Sequence, residues 1–245
     1  SALWMNAFKA VLAGLAFSIS LLMALGLGYE SLNIFAKPEL LYFVLSGFLG
    51  LGLGDVLLLM AFARLGSART LVIFSLQPIF VGFLAYVFLG QALSWPLGLA
   101  VLIMGACIYL LSVERFQKEG HWEITGITLA AVGVFLDNIG VILTRRAFDL
   151  TQAHVFTANT LRVIGALAIV LPWLWWQSRR EKRKPEEAKR QSYSLWGTFR
   201  SESPRKQWTL ALSSFLGTYV SLLFWLSALK IGHFAALSNV GGLNP

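Results

Sequence analysis

The chain has 245 residues, of which 57% are hydrophobic and only 13% charged, and its formal net charge is +8. A surface that apolar does not suit water, so a soluble domain is excluded and an integral membrane protein is expected. The single cysteine, Cys107, excludes an intramolecular disulfide.

A helix needs roughly 18 or more apolar residues to cross about 30 Å of hydrocarbon. Runs of that kind, bounded by charges or turn residues, predict spans at 4–27, 40–63, 70–89, 95–112, 126–144, 157–176 and 208–229, and an eighth begins near Phe234. Barrel strands would alternate apolar and polar residues, and Leu57-Leu58-Leu59-Met60-Ala61-Phe62 does not. The expected fold class is therefore all-α and polytopic. Trp4, Trp95, Trp122, Trp173, Trp175, Trp176 and Trp208 fall near predicted span ends, where an amphipathic ring sits well at headgroup level.

One long polar stretch, 177–207, interrupts the apolar text with ten Lys/Arg and four Glu. It lacks the interleaved aromatic platform of a nucleic-acid site, so a solvated loop touching anionic lipid is expected there. Lys37, Arg145, Arg146 and Lys230 gather on one face of the predicted topology. Arg64, Arg69, Arg115, Lys118 and the ten loop residues gather on the other, which makes that second face the cytoplasmic one.

The chain also repeats itself. Phe48-Leu49-Gly50 runs on to Arg64-Leu65-Gly66 and Pro78, while Phe215-Leu216-Gly217 runs on to Lys230-Ile231-Gly232 and Pro245. The first and last anchors share one offset, since 215 − 48 and 245 − 78 both give 167. Asn6-x-x-Lys9 is echoed by Asn159-x-x-Arg162, at an offset of 159 − 6 = 153. The echoes pair spans five apart, and because five is odd the paired helices run in opposite directions. That is the pattern of an inverted-topology repeat, with copies at 1–113 and 126–245. Ten helices are expected in the intact protein, seven complete plus a partial eighth here, with the first and last outside this sequence.

Few polar residues lie deep in the spans. Lys9, Asp55, Asp137 and Arg162 are the charged ones, each costing about 2.5–3.5 kcal/mol at a helix centre on insertion scales, so each should face a partner or a wet cavity. Two roles are open. They are packing ion pairs that set helix register, or Lys9 and Arg162 bind an anionic group while Asp55 or Asp137 carries a coupling proton. Asn6, Gln77, Asn138 and Asn159 accompany them as substrate- or ion-binding candidates. Gly50 and Gly54, in a small-xxx-small run with Ser46, suit close helix packing beside Asp55. Pro78 and Pro245 follow Gln77 and Asn244 inside apolar runs, where a proline frees a carbonyl or permits a hinge. His121, His154 and His233 are scattered, so no metal site or cofactor is expected, and no nucleophile–base or nucleotide-binding motif points to an enzyme.

Several segments resemble the EamA family of the drug/metabolite transporter superfamily. Ala61-Phe62-Ala63-Arg64-Leu65-Gly66-Ser67-Ala68 looks like the family's A-L-x-x-x-x-A link, and Ser75-Leu76-Gln77-Pro78 resembles its L-x-P segment. Gly90-Gln91-Ala92-Leu93-Ser94 is similar to its G-E-x-L-S/T turn, with Gln91 where glutamate is usual. Gly98 and Gly105 look like the glycines of its final repeat helix. The resemblance implies a ten-helix, two-repeat permease for small polar or amphipathic metabolites, in a plasma membrane such as a bacterial inner membrane. It also implies cytoplasmic termini, where the charge count places them outside. Expected partners are a small-molecule substrate, the lipid bilayer, anionic lipid at 177–207 and, as an open option, a second copy in a homodimer; nucleic acid is not expected. Two other readings remain open: a nucleotide-sugar or sugar-phosphate exchanger, and a non-transporting membrane scaffold.

Overall fold

The computed structural model describes residues 2–74, isolated positions within 77–113, and residues 123–182, 199–200 and 203–241. Among the described residues the chain is helical and contains no strand. Five helices are long and apolar enough to cross a membrane: Leu3–Gly26, Pro38–Leu65, Ile124–Thr151, Val155–Arg179 and Pro204–Ile231. In hydrocarbon this is the economical solution, because a helix satisfies its backbone internally.

Helix α1 (Ala2–Gly26) has no internal proline and ends where Gly28 takes a left-handed φ of 77°. Ser31 then caps a short 3-10 turn by accepting from the Asn33 amide, and Pro38 opens the next span. That span is one rod in three parts: α2 (Leu41–Ser46), a π-helical segment (Gly47–Gly54) and α3 (Asp55–Leu65). Gly66, at φ 82°, ends it and α4 (Ser67–Phe74) follows. Helix α5 (Ile124–Thr151) ends on Gln152, the one described non-glycine residue with positive φ, and α6 (Val155–Lys182) leads back with Pro172 inside it. The last rod repeats the three-part plan: α7 (Pro204–Ser214), a second π-helical segment (Phe215–Val220) and α8 (Ser221–Gly241).

Contacts at the helix ends fix the directions. At one end Leu65 meets Gly126 and Arg64 reaches Glu123; at the other, Lys37 Nζ donates to Thr151 O and Lys230 Nζ to Ala153 O. So α1 and α6 are antiparallel, and so are the two three-part rods. Helix α1 packs along α6, and the first π segment lies between α5 and α6. Glycine makes this closeness possible. A Cβ on Gly47 would overlap the backbone carbonyl of Arg162, and one on Gly165 would overlap that of Val44.

The spans differ from expectation in three places. Helix α5 runs seven residues past 144, because Arg145, Arg146 and Asp149 end the apolar run without ending the helix. Helix α6 likewise continues to Lys182, so the polar stretch 177–207 begins as helix and ends as helix at Pro204. The break expected between a seventh span and an eighth near Phe234 is absent: α8 runs through Lys230, whose ammonium is held by Ala153 O. Gly66 therefore stops its helix while its echo Gly232 does not. Most of the expected spans 70–89 and 95–112, and Pro78 and Pro245, lie outside the described residues.

Candidate functional site

The deep polar residues line the seam where α1, the first rod, α5 and α6 meet. Lys9 Nζ lies 2.6 Å from Asp55 Oδ2, a partly exposed ion pair between α1 and the start of α3. Asp137, in the middle of α5, has no cation at ion-pair distance among the described residues; Gln77 Nε2 donates to its Oδ2 at 3.1 Å. Its other oxygen faces Gly50, where an added Cβ would come within 3.0 Å of Oδ1.

Arg162 is 1% exposed and has no carboxylate at ion-pair distance among the described residues. Its Nε donates to Ser46 Oγ at 3.1 Å, and Ser46 and Thr144 share a 2.6 Å hydroxyl contact. Thr144 also donates to Gly140 O at 2.8 Å. The proton directions follow from these partners. Thr144 gives its hydrogen to Gly140, so Ser46 must donate to Thr144 while accepting from Arg162. Trp225 of α8 covers the guanidinium, its ring centroid 5.3 Å from Cζ. Arg162 Nη1 has no acceptor among the described residues. A buried donor of this kind is costly unless something arrives to meet it.

Three amides complete the seam. Asn6 donates to Leu51 O at 2.9 Å and Gly52 O at 3.2 Å, Asn138 to Val134 O at 2.7 Å, and Asn159 to Leu222 O at 3.4 Å. All three are fully buried, and each leaves its Oδ1 without a partner among the described residues. Gly54 lies close to Gly133 O, 3.0 Å from where its Cβ would be. The interior thus offers a carboxylate, unsatisfied amide oxygens and a guanidinium donor.

Ser46 was legible only as a small packing residue, and Thr144 and Trp225 were not singled out. Hydroxyls in membrane helices usually bond to their own backbone, so an apolar run with Ser or Thr in it carries no signal. Trp225 did carry one: it lies inside a predicted span, away from the ends where the other span tryptophans gather.

At the Lys37 end, Glu30 Oε2 accepts from His154 N at 2.7 Å and Thr157 Oγ1 at 2.8 Å, closing the N-terminus of α6 from another loop. Beside it, Phe43 and Phe148 meet edge to face in an apolar cluster with Val155 and Leu226. Burial, then the charge of Lys230, lowers the His154 pKa from its usual 6.5, with Glu30 opposing. At the other end a groove of about 470 Å³ is lined by Trp4, Met5, Arg205, Lys206, Thr209, Leu210 and Ser213.

Apolar helices with ionisable residues turned inward along one seam define a multi-pass membrane protein with a polar interior. Residues 1–113 match the EamA-like transporter family. Members of that family are membrane transporters and not enzymes. No curated protein matches the chain, and no solved structure does.

Proposed function

We propose that the protein is a secondary transporter that moves small polar or amphipathic metabolites by alternating access across a plasma membrane such as a bacterial inner membrane. The observation that carries this reading is Arg162: a fully buried cation whose Nη1 is unmet among the described residues, on the same seam as Asp137 and three amide oxygens unmet in the same sense. A packing network would satisfy itself; this one is left able to accept a solute with donors and acceptors of its own. The antiparallel pairing of α1 with α6 and of the two rods supports the inverted repeat, and with it two access states related by exchange of the copies.

Lys9 is already paired with Asp55, so one described interior cation remains for an anionic group. That favours a small metabolite over a nucleotide-sugar or sugar-phosphate substrate, which would call for clustered bases. Arg205 and Lys206, beside the apolar walls of the groove at the Trp4 end, support anionic lipid as a partner at 177–207.

The test is a growth-protection and efflux screen of the full-length gene against toxic metabolites and amino-acid analogues, with Arg162→Gln alongside. Protection by the wild type and its loss in Arg162→Gln, at equal membrane abundance, are expected. Equal protection by both, or a fully functional protein with all four seam charges replaced by apolar residues, would overturn the reading in favour of a scaffold.

A further inference from the structure

The two π segments fall on the sequence echo. The 167-residue offset between Phe48-Leu49-Gly50 and Phe215-Leu216-Gly217 carries residues 48–53 onto 215–220, the whole of the second segment. Each closes in the same way. The amide of Asp55 donates to Gly50 O and Gly52 O, and that of Ser221 to Leu216 O and Thr218 O, five and three residues back in both cases. Shared glycine content does not explain the coincidence, since the first segment has Gly47, Gly50, Gly52 and Gly54 and the second only Gly217.

A second echo meets the first. Asn6 donates both its bonds to Leu51 O and Gly52 O, inside the first segment. Asn159, its counterpart three residues before a cation, donates to Leu222 O, two residues past the second. Widening a helical turn to five residues leaves a carbonyl without its usual amide, and the hydrocarbon offers no water in its place. At the first segment the skipped carbonyl is Leu51 O, and the Asn6 amide supplies its donor; at the second, Asn159 instead bonds the α-helical turn that follows the segment and anchors its end.

The consequence is one of phase. Each residue turns an α-helix by about 100°, so one extra residue in a turn rotates everything beyond it by that amount. Before the first segment Ser46 faces Arg162; after it Asp55 faces Lys9. After the second, Trp225 comes to lie over Arg162. In each copy, therefore, one helix supplies Asn-x-x-cation. Its asparagine holds a π segment, or the turn after one, and its cation meets a residue beyond that segment.

We propose that Asn6 and Asn159 are paired positioning residues, Asn6 holding the first π segment and Asn159 the turn that closes the second, and so aiming Asp55 at Lys9 and Trp225 at Arg162. Their role in a transport cycle rests on the function proposed above; the register itself does not, so it is tested without transport.

Peptide-resolved hydrogen exchange on the full-length protein in lipid nanodiscs reads both segments at once. Asn6→Ala, and Asn6→Asp as an isosteric variant without the N–H donors, should speed exchange over 50–57 about tenfold and leave 215–226 within about twofold, the range set by loss of a buried hydrogen bond in a local opening. Asn159→Ala should do the reverse. Transport in Asn6→Ala should show the altered pH profile of Asp55→Asn, which a loss of packing alone would not produce. Unchanged exchange at the segment beside the mutated asparagine, or an equal rise at both, would overturn the proposal. Lost transport with unchanged exchange would overturn it too while leaving the transporter reading intact; the expected exchange pattern with no transport of any substrate would do the opposite.

Discussion

Arg162 and Lys9 occupy echoed positions yet differ in what surrounds them. Lys9 meets a carboxylate, whereas Arg162 meets a hydroxyl, an indole face and, at Nη1, no acceptor among the described residues. Lysine cannot reproduce that geometry, because it has no Nε donor for Ser46 and no plane to lie over Trp225. Arg162→Lys should therefore cut transport about tenfold or more while keeping a buried cation, measured as initial rate at equal abundance. Asp137→Asn, which keeps the shape and removes the charge, should flatten the pH dependence of transport. If Asp55→Asn and Asp137→Asn both leave rate and pH profile unchanged, neither acid carries a coupling proton. The four charges were legible in the sequence because hydrocarbon tolerates so few. Their partners were not: Lys9–Asp55 joins residues 46 positions apart, and Ser46–Thr144 joins residues 98 apart.

Between residues and the bundle, the elements owe their closeness to glycine, and unevenly so. Gly47 and Gly165 are pressed against backbone, while Gly217, in the echoed segment, has nothing within 4 Å of an added Cβ. Gly47→Ala should cost about 1–3 kcal/mol by overpacking, whereas Gly217→Ala should fall within about 0.5 kcal/mol of the wild type; unfolding in mixed micelles compares them. The glycine run announced close packing in the sequence but not the π turns. These arise from a mismatch between helix period and neighbouring contacts that no local residue type encodes. The helix ends were misjudged for a related reason. Hydropathy marks where a membrane stops, and α5 and α6 continue beyond that point as solvated helix.

Across the whole molecule the two membrane faces are built differently. At the Lys37 end, Glu30, Lys37 and Lys230 converge on the turn between α5 and α6. His154 belongs to that turn, and its lowered pKa means that the folded state prefers it neutral. Its contribution is then intact above the unfolded pKa of about 6.5 and is lost as pH falls below it. The thermal midpoint of the full-length protein should drop between pH 7.5 and 5.5, and less so in His154→Gln; equal drops would remove His154 as the cause. A reporter fused within 185–200 should prove cytoplasmic, and an extracytoplasmic result would reverse the charge argument. The two π segments bear on motion at this same scale. Each behaves like a dislocation in a crystal: gliding it one residue along its helix exchanges single hydrogen bonds and re-faces only the residue it passes, whereas removing it would turn everything beyond it by about 100°. A small adjustment and a large one thus start from the same turn, in two rods that point opposite ways.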